Sequence, residues 1–240
     1  HFVGPSSAFK STMCRTSTKK TASRSSSWSK CCSILSLEAF NGIYASDYSG
    51  STTYTRVRGY MRKIIVINGS HRGALGNTRP LIDMLAEGVT AAGGSLEVIE
   101  LSELEISRCR GCDHCHRSAA SSTCIIEDDV GLIFEKIRTS DLVVYATPIY
   151  AFGMSSLIKM LFERMYALGD NSDLQVSKAG LVFHSVEPDV CRKSFAVLIT
   201  CGNIETRAYA NALDFFLAFS DFTDSTCVGM MVRNGVRLIM

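Results

Sequence analysis

The chain has 240 residues, with 25 Lys and Arg against 23 Asp and Glu, a net charge of +2 at neutral pH. That length can bury one sizeable core, and the near-balanced charge excludes a protein whose totals commit it to nucleic acid. No run reaches the roughly 18 consecutive apolar residues of a membrane helix and no secretory leader is evident, so the ten cysteines read as thiols or metal ligands of a cytoplasmic chain rather than a disulfide framework.

The charge is unevenly spread. Residues 1–60 hold eight Lys and Arg against two Asp and Glu, a balance of +6, whereas residues 61–240 hold seventeen against twenty-one, a balance of −4. The first stretch is rich in Ser and Thr and lacks a sustained apolar period, so it reads as a disordered basic extension. This composition suits organelle targeting; the preferred reading is translated upstream sequence or a fragment of an extension, with the working domain starting near Met61.

From there the elements alternate. Residues 63–67, Lys-Ile-Ile-Val-Ile, form a short aliphatic run rich in β-branched residues and predict a strand buried on both faces. A turn rich in Gly and hydroxyl groups follows at 68–78. A helix then carries Leu81, Ile82, Met84, Leu85 and Val89 at helical spacing, with Asn77 or Thr78 as its N-cap, Pro80 in its first turn and Gly93-Gly94 at its end. Residues 95–101 alternate and predict a second strand nearer a sheet edge. After a run of cysteines, Asp128-Asp129 is expected to cap a helix bearing Val130, Ile133, Phe134 and Ile137, followed by a third buried strand at 141–146 that Pro148 stops.

Ser155 or Ser156 is expected to cap a helix reaching about Leu168, closed by Gly169. Residues 170–192 read as an excursion with a short strand at 179–186. Residues 195–200 form a fourth core strand. A helix with Tyr209, Ala212, Leu213, Phe216 and Leu217 comes next, then a fifth strand at 226–232. Strands alternating with helices at this spacing predict an α/β domain of three layers, a doubly wound parallel five-stranded sheet. The helix that normally follows the last strand of such a sheet is not evident, which suggests a truncated C-terminus.

Ligands of open α/β sheets bind beyond the carboxyl ends of the strands, where three loops are expected to meet. The first joins a strand to a helix N-terminus, whose N–H groups and dipole favour an anion, and adds the Ser70 and Thr78 hydroxyls and the Arg72 cation. It lacks the Lys-Ser/Thr pair of a nucleoside-triphosphate loop, and Gly69, Gly73 and Gly76 do not match the dinucleotide fingerprint. An ordinary turn without a ligand is the alternative. The second loop, Thr147-Pro-Ile-Tyr-Ala-Phe-Gly153, places a rigid Pro and two aromatic residues beside glycine, suited to stacking on a flat ring, although Tyr150 and Phe152 would also serve as core or rim aromatics. The third, from Cys201 and Gly202 to Thr206, offers amides and N–H groups for polar ring edges. A phosphate at one loop and a flat heterocycle between the others describe a mononucleotide cofactor.

Cys109, Cys112, Cys115 and Cys124 make a C-x2-C-x2-C-x8-C run. Its thiolates are spaced to wrap an iron-sulfur cubane. Zinc competes, since His114 and His116 add nitrogen ligands, and uncoordinated thiols remain a third reading.

The strand ending in Asn68-Gly-Ser-His-Arg with Gly76-Asn-Thr78, the cysteine run, Cys124-Ile-Ile-Glu-Asp-Asp-Val130 and the strand ending in Thr147-Pro-Ile-Tyr150 together resemble the NADPH-dependent FMN reductase family of flavodoxin-like proteins, more narrowly its iron-sulfur flavoproteins, over about residues 61–235. The first loop is one residue longer than the family pattern, and the gap before Cys124 is also longer. The resemblance implies a flavodoxin-like FMN-binding domain over 61–240. Ser70, Arg72, Asn77 and Thr78 would hold the phosphate and ribityl chain, and Pro148, Ile149, Tyr150, Phe152 and Gly153 would contact the flavin ring, beside the Gly202 loop. It further implies a 4Fe-4S cluster on the four cysteines and a homo-oligomer, dimer or tetramer.

The activity expected is an NAD(P)H-dependent FMN oxidoreductase that hands electrons to an unidentified acceptor. The alternatives are an electron-transfer iron-sulfur flavoprotein reduced by a protein donor such as ferredoxin, and an adapter domain without cofactor. Because the cofactor carries such chemistry, no protein general base is expected to be indispensable. Ser70 beside His71 does not indicate a hydrolase, because no nucleophile elbow accompanies the pair. His71 is expected to face solvent or the cofactor rim.

Overall fold

A computed structural model describes residues 62–117 and 124–236. The basic extension expected at 1–60 lies outside the described residues. In chain order the elements are β1 (Lys63–Asn68), α1 (Arg79–Ala91), β2 (Ser95–Glu100), a single turn α2 (His114–Arg117), α3 (Val130–Arg138), β3 (Leu142–Pro148), α4 (Ser156–Arg164), β4 (Gly169–Val176), β5 (Val182–Val186), a turn α5 (Pro188–Cys191), β6 (Phe195–Thr200), α6 (Ala210–Thr223) and β7 (Cys227–Arg233).

Five strands form one sheet in the order β2-β1-β3-β6-β7, every neighbouring pair parallel. The three central strands are the three most apolar runs, because a strand covered by helices on both faces has no place for alternating polar residues. Their faces are sorted by parity. Ile64, Val66, Val144 and Leu198 pack with Ile82 and Val89 of α1. Ile65, Ile67, Val143, Tyr145 and Val197 pack with Ile133 of α3, Ile158 and Leu161 of α4 and Phe216 of α6. The chain leaves β1 for β2 on one side and returns to β3 on the other, so the crevice of the doubly wound sheet opens between the loops that follow β1 and β3.

Several local expectations need correction. Thr78 does occupy the position before α1, but it has helical dihedrals and its side chain makes no cap bond; its hydroxyl is used elsewhere. Asp129 makes no cap bond to α3 either, but Asp128 accepts from the Val130 N–H at 3.2 Å, at the first residue of that helix. Ser155 does cap α4, accepting from the Ile158 N–H at 3.4 Å. That helix ends at Arg164 and tightens into a 3-10 turn at Met165–Leu168. The strand expected at 179–186 is observed as β5, paired antiparallel with β4. The partner was not foreseen, because Gly-Asp-Asn-Ser-Asp has the composition of a loop; Gly169 and Asp170 pair with Val186 and Ser185, and the register then shifts before Leu174 meets His184.

An aromatic cluster joins α4 and α6 to the sheet: Tyr145 lies within 5.8 Å of both Phe195 and Phe216, and Phe162 meets Phe215 and Phe219 edge-on at 5.0 and 4.9 Å. Phe216 is fully buried there. Phe216→Ala is expected to cost about 3–5 kcal/mol, read as a lower urea midpoint at an unchanged slope.

Candidate functional site

Each central strand ends in a buried polar residue: Asn68 on β1, Thr147 within the last turn of β3, Thr200 on β6. Asn68 shapes the first loop. Its Oδ1 accepts from the Ser70 N–H at 3.1 Å, and its Nδ2 donates to Glu100 Oε2 at 2.7 Å and to the Gly73 carbonyl at 3.5 Å. Arg79, the first residue of α1, donates to Glu100 at 3.0 Å and to Asp83 at 2.7 Å, which balances the carboxylate beneath the loop.

The loop is wound tightly enough that side chains are excluded at two points. A Cβ on Gly76 would lie 2.2 Å from Ser70 Oγ, and one on Gly69 would lie 2.3 Å from Ile158 of α4. Gly73 has φ +50, a conformation most residues avoid, and abuts Ser102.

The residues expected at the phosphate are therefore brought together, in different settings. Ser70 is buried and its hydroxyl accepts from the Arg72 N–H at 3.3 Å. Thr78 is buried, and its hydroxyl pairs with that of Thr200 at 3.0 Å, joining the start of α1 to the end of β6. Arg72 is exposed and Asn77 half-buried. The N–H groups of Asn77 and Thr78 meet no backbone acceptor among the described residues, so the start of α1 presents donors with the dipole behind them.

The second loop stands across the crevice. Thr147 closes it at both ends, donating to the Pro148 carbonyl at 3.0 Å and accepting from the Ser155 N–H at 2.9 Å. Between them Tyr150 and Gly153 exchange two backbone bonds at 2.9 and 3.0 Å, and the intervening Ala151 and Phe152 have φ of 47 and 65. A left-handed pair without glycine is strained, about 1–3 kcal/mol per residue, and here it projects Tyr150 and Phe152 outward with 43% and 63% of their surface exposed. These aromatics are thus rim residues, not core. His71 of the first loop sits 5.6 Å from the Tyr150 ring and bonds Ser156 Oγ at 3.0 Å, so the two loops touch.

Ile149 N–H donates to the Thr200 carbonyl at 2.8 Å, and Asn211 of α6 donates to the Phe152 carbonyl at 3.3 Å. The third loop, with Gly202 half-buried, lines a cleft of about 690 Å³ with Phe152 of the second loop and Asn211 of α6; Asn203, Glu205 and Arg207 are its third-loop walls, and no first-loop residue reaches it. A groove of about 730 Å³ lies elsewhere, between α4, the β4-β5 hairpin and α6, and none of the three loops contributes to it. The polar donors decide between them in favour of the loops.

The residues present fit a flavin mononucleotide. The glycine-lined winding and the Asn77 and Thr78 N–H groups, which meet no backbone acceptor among the described residues, make a cradle for a phosphate, and two outward rings suit the face of a flat heterocycle. Asn68, Thr147, Thr200 and Asn211 were missed in the sequence as functional. The legible signal was a polar residue at the carboxyl end of each apolar run.

The sequence profile of the NADPH-dependent FMN reductase family matches residues 62–189, more than half of the chain. The chain belongs to that family. An iron-sulfur flavoprotein of Archaeoglobus fulgidus is 34% identical over 102 residues, which is 42% of this chain and 48% of that protein. An iron-sulfur flavoprotein of Methanocaldococcus jannaschii is 32% identical over 120 residues, 50% of this chain and 60% of its own length. The chain thus spans about half the length of the relatives it matches. Among solved structures, an NAD(P)H:quinone oxidoreductase from Methanothermobacter marburgensis superposes with a TM-score of 0.55 at 15% identity, covering 73% of this chain and 88% of that one, and supports the flavodoxin-like fold.

In this member of the FMN reductase family the four cysteines line one cleft of about 470 Å³. Burial pushes the Cys115 thiol up, and Cys124, Asp113 and Cys109 add to it, so these thiols are electrostatic neighbours. Among the described residues, however, no three His, Cys, Asp or Glu side chains converge closely enough to hold a metal ion. As they stand, the thiols do not fit a cluster. His116 turns to the hairpin side, bonding the Tyr166 carbonyl at 2.8 Å.

The neck of the cysteine segment is built by the two aspartates expected to be helix caps. Asp129 accepts from the Glu105 N–H at 2.8 Å; Asp128 accepts from the Ser107 N–H at 2.9 Å and from Arg164 at 2.5 Å. Burial by itself pushes the Asp128 carboxyl up, but Arg164 and the N–H groups of Ser107 and Val130 hold it below the usual carboxylate range. A folded value below the unfolded one contributes stability above about pH 4, lost as pH falls through the folded value. Lowering the pH from about 5 to 3 is therefore expected to lower the urea midpoint. Asp128→Asn should flatten that dependence, and an unchanged slope against pH would sink the assignment.

Proposed function

We propose that the protein is an NAD(P)H-dependent flavin oxidoreductase with FMN as its working cofactor. The observation that carries this reading is the crevice at the switch point, where an open helix N-terminus faces a strained turn that projects two aromatic rings. Family membership supports the same cofactor. When bound, FMN supplies hydride acceptance from a nicotinamide and electron delivery to an acceptor.

The roles of the residues follow from their places. The N–H groups of Asn77 and Thr78, the Ser70 hydroxyl and the Arg72 guanidinium hold the phosphate dianion, while Asn68 fixes the loop that carries them. Pro148, Ile149 and Gly153 would lie against the ring edge, Tyr150 and Phe152 would stack beside it, and Gly202 would let the third loop approach it. Thr147 and Thr200 keep the loops at a set separation, which matters because positioning is the protein's main contribution to such chemistry. None of these side chains needs to move a proton.

Removing a charge that touches only the phosphate should separate FMN from riboflavin. Arg72→Ala is expected to weaken FMN binding about tenfold, the effect of losing one charge-assisted bond, and to leave riboflavin binding unchanged in a fluorescence titration. Equal losses for both would place Arg72 away from the phosphate. Gly76→Ala, whose Cβ would meet Ser70 Oγ, is expected to weaken FMN binding more strongly.

The activity is tested by anaerobic mixing of the FMN-loaded protein with NADPH or NADH. Bleaching of the flavin absorbance is expected. A second reading, a carrier reduced by a protein donor such as ferredoxin, is favoured by the four thiols that share one cleft. It predicts no bleaching by either nicotinamide and bleaching by the protein donor.

A further inference from the structure

Arg164 ends α4 with its side chain only 3% exposed, a costly place for a cation unless every contact is used. Its guanidinium reaches both flanks of the cysteine segment. On one side Nη1 donates to the Ser107 carbonyl at 3.0 Å; on the other Nη1 donates to Asp128 Oδ2 at 2.5 Å and Nη2 to the Ile126 carbonyl at 3.3 Å. Asp128 closes the ring by accepting from the Ser107 N–H at 2.9 Å. Ser107 precedes Cys109 by two residues and Ile126 follows Cys124 by two, so one planar fork joins the chain just before the first thiol to the chain just after the last. Nε is buried without a partner among the described residues, and the guanidinium also interacts with the Cys124 thiol. None of this is needed for the flavin crevice, whose loops lie at the opposite terminus of α4.

We propose that Arg164 is a positioning residue for the thiols: by clasping both flanks of the cysteine segment to the end of α4, it brings Cys124 against the run formed by Cys109, Cys112 and Cys115. The electrostatic coupling of Cys115 with Cys124 and Cys109 agrees with this placement. A helix-end arginine is suited to the task because its five donors lie in one plane and serve three acceptors at once; a lysine offers the charge without the fork. The clasp works whatever the thiols carry, since every contact in it is made by protein groups.

The test uses a trivalent arsenical, phenylarsine oxide, on the reduced full-length protein. Each arsenic forms two As–S bonds with thiols in close proximity and releases its oxygen as water, and peptide mass spectrometry identifies the bridged pair. In the wild type, bridges between Cys124 and a cysteine of the 109–115 run are expected. In Arg164→Met these should fall roughly tenfold or more, as for other supporting partners of a ligand set. Pairs within 109–115, which are close in sequence, should persist.

Labelling of buried Cys191 and Cys201 by N-ethylmaleimide serves as the control for general loosening. If these two thiols become reactive in step with the loss of Cys124 bridges, Arg164 is only a structural residue and the proposal fails; unchanged bridging in the variant, or no Cys124 bridge in the wild type, also overturns it. Should Arg164→Met not fold, Arg164→Lys is read in the same way. It keeps the charge and should still lose most Cys124 bridges, whereas full retention would overturn the role of the fork.

Discussion

A parallel sheet buried on both faces leaves its polar chemistry nowhere to go except the strand ends, and the arrangement of this protein follows from how those ends are satisfied. Asn68, Thr147 and Thr200 are all buried at the carboxyl edge of the three central strands. An unpaired polar group there would cost about 1–3 kcal/mol, so each is hydrogen-bonded, and each bond reaches into a loop. Asn68 winds the first loop, Thr147 closes the second, and Thr200 ties the start of α1 to the end of β6. The crevice is thus held by the same bonds that allow the sheet to end.

The helix α4 carries this order to a second place. At its start Ser155 is bonded to Thr147 and lies close against Gly69, so the loops of the crevice and the helix are one packed unit. At its end Arg164 gathers the flanks of the cysteine segment. The distance along the axis between the two is roughly 14 Å, from the 1.5 Å rise per residue. Because Ile158 and Leu161 are buried between these ends, the helix cannot slide without disturbing the core. The position of the thiols relative to the crevice loops is therefore a property of one well-packed element.

Strain and burial are distributed in a consistent way. The left-handed pair Ala151-Phe152 is kept by the bonds on either side of it and by Asn211, and its cost falls at the loop that presents the rings. The buried ion pair of Arg164 and Asp128 is the counterpart at the cysteine segment, where two desolvated charges are bonded to each other and to the chain on both sides. Elsewhere the protein relies on apolar contact, most densely in the rings around Tyr145 and Phe216.

Apolar period and length were enough to read the five strands of the sheet, the helices at α1, α3, α4 and α6, and the three loops at the crevice. Those signals are local, and buried strands of Ile and Val or helices with one apolar face have few other ways to fold. The hairpin partner β4 was illegible because Gly169 and Asp170 enter a strand by pairing with Val186 and Ser185, against a composition that reads as loop. Thr78 and the aspartates at 128 and 129 read as helix caps because a short polar residue before an apolar run usually is one. Tertiary structure redirected Thr78 to Thr200 and Asp129 to the Glu105 N–H, while Asp128 keeps a bond to the Val130 N–H at the start of α3 and adds Arg164 and the Ser107 N–H. Arg164 itself carries no local signal that sets it apart from other charged residues at helix ends. What the chain determines alone is the order of elements and the residue types that meet at the crevice; which hydroxyl turns inward, which carboxylate finds a buried arginine and how closely the thiols gather depend on contacts between residues far apart in sequence, and no local pattern encodes those distances.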